Sequence, residues 1–382
     1  MNVLLLTSHA IAEHDDLEMF TRMGVDCYSI GGAYDEVPFE GKRPAIPNVR
    51  RYPDLEAATA QQRERLSRDF GDPGPAIDWA KARLAPEVID WADTIIVHHF
   101  VEHWIGGQWD AIRDKRVIWR TCGQSNPWLE REMSRYRRDG LQIVRYSSKE
   151  RTAFSSINAF AGEDACIRFG KDPMEWSGWR GDVPVVGNIT QDMAGRGDAC
   201  GYGYWSAVTE DLPVRPAGPG SEKMRGGIGS LSYDDMREYL RSVRAYLYTG
   251  TRPAPYTLGL IEAMMTGTPV VMMGPAHFFP AELYEGEWLA LQKHVARGGR
   301  ELNTDNVADA RELLARILSN EQFAAEVGAY CRRQAIDKFG LARVSDRWAT
   351  FLGIEYAPLD WSAGDGIGEA AIHPASRASV RP

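Results

Sequence analysis

Short apolar runs alternate with amphipathic stretches through most of the chain. Residues 3–6 (VLLL), 25–30, Thr94–Val97, 116–119 and 141–146 have the length and apolar content of buried strands. Between them, 16–23, 76–91, 127–138 and 148–155 carry helical spacing. Gly24 closes the first of these helices, Pro86 interrupts the second, Pro127 opens the third, and Ser147 or Ser148 caps the fourth. The pattern restarts near Val183. Strands are expected at 183–186, 212–215, 246–248 and Val270–Met273. Helices are expected at 232–243, 303–318, Glu321–Phe339 and 343–352. In 232–243, Met236, Tyr239, Leu240 and Val243 share a face, and Ser232 with Asp235 forms a capping arrangement. Strands alternating with helices predict an α/β protein with doubly wound parallel sheets covered on both faces.

A length of 382 residues is natural for two domains, divided here as 1–180 and 181–340. Hydrophobic residues at 44% and charged residues at 25% fit a soluble globular protein. No apolar run approaches the ~20 residues that cross a membrane. The opening Met1-Asn2-Val3-Leu4-Leu5-Leu6 lacks a basic region and turns polar at Thr7, so it reads as a strand and not as a signal peptide. The five cysteines are odd in number and scattered, without metal-ligand spacing, which points to a reducing cytoplasm. Residues 362–382 are small, polar and Pro/Gly-bearing and read as a disordered tail.

The chemistry concentrates between Tyr246 and Met272. A strand enters a Gly/Pro-rich loop, and a short apolar helix follows with one carboxylate, Glu262. Gly267-Thr268-Pro269 then leads into the next strand. A loop at a strand's carboxyl end running into a helix N-terminus is where open α/β sheets bind anions. An ordinary strand–helix–strand unit would look the same.

The segment GLIEAMMTGTPVV resembles the nucleotide-sugar site of GT-B glycosyltransferases, in particular family 4-type retaining enzymes. Their pattern is an acid, seven residues, then Glu-Ala-Met/Leu, a short gap and Gly-Thr/Ile-Pro-Val-Val. The resemblance implies two Rossmann-like domains facing a central cleft, the nucleotide on the second and the acceptor on the first. It also implies a return helix, 341–361, packing toward the first domain. Glu262 matches the residue that binds the nucleotide ribose. The first acid falls at position 254, where this chain has Ala254.

That frame orders the candidates. For the donor they are Gly187 and Asn188 after the strand 183–186, Arg196 as the first basic residue beyond it, Gly218, and Tyr256, Thr257, Leu258 and Glu262. A leaving diphosphate needs fixed positive charge or helix N–H groups. Arg168 and Lys171 are earlier cationic candidates for it. For the acceptor they are His9, His14 and Asp15 in a loop after the first strand, His99, and the polar run Arg120-Thr121-Cys122-Gly123-Gln124-Ser125. Arg196, Glu262, His99 and Thr121 are the candidates closest to the chemistry. Asp15 and Asp16 could equally favour a helix N-terminus, and the run before Asn126-Pro127 could be a helix entry. His98, His99 and His103 lack a completing ligand set beyond Glu102, and by resemblance no metal or other cofactor is expected.

The formal net charge of −9 argues against wholesale nucleic-acid coating. Residues 113–151 nevertheless hold eleven Lys/Arg against five Asp/Glu, 11 − 5 = +6. That excess is either a solvated helix face or a surface for a phosphate-rich acceptor. The expected reaction moves a sugar from a nucleoside-diphosphate sugar to a hydroxyl of a glycan, a lipid-linked glycan or hydroxymethylated DNA. By resemblance it proceeds with retention, in the cytoplasm or at its membrane surface. A sugar-nucleotide epimerase of the same fold and a non-catalytic nucleotide-sugar binding protein are the alternatives.

Overall fold

The computed structural model describes residues 1–7, 10–29, 50–51, 83–84, 86–123, 125–278, 281–285 and 302–357. They form two parallel sheets. The first contains β1 (Asn2–Leu6), β2 (Asp26–Ser29), β3 (Arg50–Arg51), β4 (Thr94–Val97), β5 (Arg116–Arg120), β6 (Gln142–Arg145) and β7 (Ala165–Cys166), in the order β3-β2-β1-β4-β5-β6-β7. The second contains β8 (Val183–Ile189), β9 (Val214–Ala217), β10 (Val243–Tyr248), β11 (Val270–Met273) and β12 (Asn303–Thr304), in the order β12-β11-β10-β8-β9. Central strands of such sheets are buried on both faces, which is why β4 and β11 are apolar at almost every position and wholly buried.

Around the first sheet lie α1 (Ala10–Arg22), α2 (Pro86–Trp91), α3 (Pro127–Arg137) and α4 (Lys149–Ser156). Around the second lie α5 (Tyr202–Thr209), α6 (Tyr233–Ser242), α7 (Leu258–Thr266), α8 (Val307–Ser319) and α9 (Glu321–Phe339). The final helix, α10 (Leu341–Leu352), turns back to the first sheet. Its Leu341, Val344, Trp348 and Leu352 join Val3, Leu5, Leu17 and Phe20 in one core, with the Phe20 and Trp348 rings 5.3 Å apart.

Capping chemistry sets several boundaries. Asn126 accepts from the N–H groups of Trp128 and Leu129 and starts α3, and Ser232 accepts from Asp235 N and starts α6. Four expectations are corrected. Residues 13–16 lie within α1 and not in a loop, because their polar side chains are buried and find partners there. Residues 303–304 are a strand and not helix, because Asn306 accepts from Ala308 N and Asp309 N and delays α8 to Val307. Of the helix expected over 76–91, residues 83–84 are not helical and α2 begins at Pro86; 76–82 lie outside the described residues. The strand expected at 212–215 runs Val214–Ala217.

Two chain crossings connect the sheets, one after β7 and one at the end of α9, and they are bonded to each other. Lys171 N donates to Phe339 O at 2.8 Å, and Leu341 N donates to Lys171 O at 3.0 Å. Among the described residues no helix is long and apolar enough to cross a membrane.

Candidate active site

The second domain contributes a helix N-terminus. β10 ends at Tyr248, and Thr257 precedes α7 with extended backbone and no side-chain cap. Thr257, Leu258 and Gly259 are half-buried, and the first-turn N–H groups have no partner within the helix. The loop before them docks on the turn that follows β8, through Arg252 N to Ala199 O at 2.8 Å. That turn carries Arg196, which is exposed and, among the described residues, donates to Gln191 O at 3.4 Å.

Glu262 sits in the second turn of α7 at 2% exposure. Its Oε1 lies 2.6 Å from Lys171 Nζ, and the same ammonium lies 2.7 Å from Asp15 Oδ2 on α1. Trp176 covers the ammonium, 5.2 Å from ring centre to nitrogen. Residues expected to serve ribose, diphosphate and acceptor thus form one buried cluster across the two domains. Nothing in the sequence pattern joins positions so far apart.

Other donor candidates are buried in the framework. Gly187 and Asn188 lie inside β8 and not after it. The Tyr239 hydroxyl sits where a side chain at Gly187 would be, 2.6 Å from such a Cβ, and it accepts from Asn188 N. Asn188 Nδ2 donates to Leu247 O at 2.8 Å and ties β8 to β10. Gly218 closes a turn by donating to Gly229 O. Tyr256 is buried at the junction of the domains, where its hydroxyl donates to Tyr146 O at 2.8 Å and its ring packs 5.0 Å from that of Tyr146. Nearby, Arg168 pairs with buried Glu285, which also accepts from Ser147.

The first domain contributes the carboxyl ends of β1, β4 and β5. Thr7 Oγ1 lies 3.1 Å from His99 Nδ1, and His99 Nε2 lies 3.5 Å from Cys122 Sγ. His98 faces Asp16 at 3.2 Å; burial pushes its imidazole below the ordinary histidine value against the opposing pull of that carboxylate. His14 is buried 4.0 Å from Glu18, and His103 lies apart, against Trp104. His9 and Gln124 lie outside the described residues.

Within the polar run after β5, most groups point inward. The guanidinium of Arg120 is buried against the carbonyls of Ile167 and Arg168 and the ring of Phe169. Thr121 and Ser125 both donate to the buried carboxylate of Glu150, at 2.8 and 3.3 Å. Burial raises that carboxyl to about 7, with Arg145 and Thr121 pulling it down. Gly123 touches the opposite domain: a Cβ placed on it would lie 2.9 Å from Ala254 Cβ. The position where the family motif has an acid therefore abuts the first domain.

No protein-family model and no curated protein sequence matches this chain. Solved structures do match it in shape. HepE from Anabaena, in complex with UDP and glucose, superposes with a TM-score of 0.61 at 12% identity, covering 92% of this chain and 99% of that one. Sucrose-phosphate synthase from Thermosynechococcus elongatus gives 0.60 at 13%, covering 92% and 98%. A glycosyltransferase from Rickettsia africae gives 0.59 at 11%, covering 93% and 99%. The chain has the GT-B fold.

In the GT-B frame the basic excess of 113–151 lies on the first domain, and several of its members are tied to the framework. Arg145 forms a buried fork with Glu130, and Arg116 donates to the carbonyls of Phe351 and Leu352 at the end of α10. Arg137 pairs with Asp164 and Arg151 with Glu163. Arg113, Arg131, Arg135, Arg138 and Arg151 are exposed, so the excess divides between internal struts and a solvated face. Beyond the carboxyl ends of the first sheet's strands two aromatic rings are exposed: Phe100 after β4 at 42% and Trp128 at the start of α3 at 58%.

Proposed function

We propose that this protein is a glycosyltransferase that moves a sugar from a nucleoside-diphosphate sugar to a hydroxyl of a glycan acceptor. The observation that carries the reading is the uncapped, half-exposed N-terminus of α7 at the carboxyl end of β10, with Glu262 one turn along, in a GT-B fold matched over nearly the whole chain. HepE, one of the proteins of that shape, binds UDP-glucose, which makes UDP-sugars the first donors to try.

In this reading the N–H groups near Thr257 and the exposed Arg196 hold the diphosphate as its charge develops. Glu262 accepts from the ribose hydroxyls, with Lys171 fixing its other contacts. The bond from the anomeric carbon to the diphosphate breaks, and the acceptor oxygen bonds that carbon on the same face. The acceptor proton passes to the departing diphosphate oxygen, so retention needs no protein nucleophile and the positive charge comes from the protein and not from a metal. Phe100 and Trp128 suit a sugar ring, which has an apolar face to stack. A glycan, free or lipid-linked, is the acceptor class that these two rings favour.

The contact of Ala254 with Gly123 supports one competing reading, a nucleotide-binding protein without turnover. A thermal-shift panel of nucleoside diphosphates and their sugar conjugates, on wild type and Glu262→Ala, separates the possibilities, because a ligand that binds only the folded state raises its Tm. A shift with one nucleotide that disappears in the variant supports the donor site. A shift without hydrolysis or transfer across acceptors supports the binding module. No shift with any nucleotide overturns both.

A further inference from the structure

Three adjacent strand ends bring a thiol, an imidazole and a hydroxyl into line. β1, β4 and β5 neighbour one another in the first sheet, and Thr7, His99 and Cys122 follow them. The distances are 3.5 Å from Cys122 Sγ to His99 Nε2 and 3.1 Å from His99 Nδ1 to Thr7 Oγ1. Nucleophile, base and orienting group in that order is the arrangement that activates a weak nucleophile. Thr7 holds the far nitrogen of the ring and the near one faces sulfur, while the thiol also lies 3.4 Å from the His98 carbonyl, to which it can donate. His99 is buried whereas Cys122 is half-buried.

A second feature points into the same place. The Tyr146 hydroxyl is fully buried and has no hydrogen-bond partner among the described residues. It is aimed at the residue beside the thiol, since a Cβ on Gly123 would lie 3.0 Å from it. Burial pushes its ionisation well above that of an ordinary tyrosine, so it stays a donor. A buried donor without an acceptor is rare and calls for an explanation, an absent ligand among them. Sugar transfer as proposed above uses neither this hydroxyl nor the thiol.

We propose that Cys122 is a reactive thiol site, with His99 as its base, that takes small disulfides and other small electrophiles entering the cleft. In exchange with a small disulfide, the Cys122 proton passes to His99 Nε2 and Sγ attacks one sulfur. The S–S bond breaks, and the other half leaves as a thiolate that takes the proton back from His99. The mixed disulfide sits beside Gly123, where the first domain meets Ala254, with the Tyr146 hydroxyl placed to donate to the adduct. Modification therefore blocks the point where the two walls of the cleft meet.

Limiting iodoacetamide at neutral pH, followed by peptide mapping, tests this without any sugar substrate. Cys27, Cys200 and Cys331 are buried, and half-buried Cys166, whose thiol burial pushes up, is the internal comparator. Cys122 is expected to label at least about tenfold faster than Cys166, the effect of an adjacent base, and to capture oxidised glutathione at the same position. His99→Gln should lower the Cys122 rate and leave the Cys166 rate unchanged, whereas general loosening would raise both. Thr7→Val should give a smaller fall. Labelling of Cys166 together with or ahead of Cys122 in the wild type overturns the proposal. So does a Cys122 rate unaffected by His99→Gln in a variant that melts like the wild type.

Discussion

Lys171 and Glu262 are 91 positions apart in sequence, and their charged atoms stand 2.6 Å apart with neither side chain reaching solvent. Lys171 is also the residue whose backbone joins the two chain crossings, and its ammonium reaches Asp15 on α1. One side chain therefore links the proposed ribose acceptor on the second domain, the chain crossings and the first sheet's helix α1. Removing one partner of a buried ion pair costs about 3–5 kcal/mol, because the other charge is left uncompensated. Lys171→Met should lower the Tm accordingly and weaken UDP binding by about tenfold, equivalent to about 1.4 kcal/mol. Asp15→Asn leaves the Lys171–Glu262 pair intact and should cost less on both counts. Calorimetric titration and melting curves check this, and wild-type UDP affinity in Lys171→Met would show that the cluster does not serve the nucleotide site.

Glu150 makes stability depend on pH in an unusual direction. Its folded-state carboxyl titrates near 7 instead of the ordinary 4.5, because burial outweighs Arg145 and Thr121. Between those values the folded chain holds a proton that the unfolded chain has lost, so stability falls as pH rises through the window and is level above it. Glu150→Gln keeps the acceptor for Thr121 and turns its amide toward the Ser125 hydroxyl. The variant should flatten the decline and be at least as stable as wild type above neutrality. Denaturant unfolding across the window measures it, and an unchanged slope would place the titration elsewhere.

Trp128 is anchored by α3 but its ring is exposed, so its loss should spare the fold. Trp128→Ala is expected to leave the unfolding free energy within about 0.5 kcal/mol of wild type, as surface changes do. If the ring stacks on an acceptor sugar, acceptor KM should rise by about tenfold with UDP affinity unchanged, for a loss of about 1–1.5 kcal/mol of aromatic contact. A rise in donor Kd instead would move the aromatic edge to the other side of the reaction.

The sequence pattern was legible where one element settles its own fate. The run at 3–6 is a strand whatever surrounds it, and Ser232 caps α6 with a donor three residues away. It was not legible where distant residues decide. Residues 13–16 look like a polar loop because their partners, Lys171 and His98, come from other elements. Gly187-Asn188 looks like a turn because the Tyr239 hydroxyl that holds it in β8 comes from α6. Glu262 was found by its motif, but its pairing with Lys171 was not, since neither spacing nor periodicity connects the two domains. Cys122 read as one of several scattered small residues until His99 and Thr7 were in place beside it.

The contact between Gly123 and Ala254 gives a direct test of how the two walls of the cleft meet. Gly123 has φ +85°, and an added Cβ would stand 2.9 Å from Ala254 Cβ and 3.0 Å from the Tyr146 hydroxyl. Gly123→Ala therefore carries two costs, about 1–2 kcal/mol for a side chain in the left-handed region and about 1–3 kcal/mol for overpacking. Only the second depends on the opposite domain. Ala254→Gly removes the methyl that the new Cβ would strike, so the double variant should recover part of the loss, leaving the backbone cost and whatever the Tyr146 hydroxyl contributes. A coupling energy of about 0.5 kcal/mol or more in this cycle means the walls touch in solution. Strict additivity means that they stand apart there, with the motif position 254 open to a donor sugar after all.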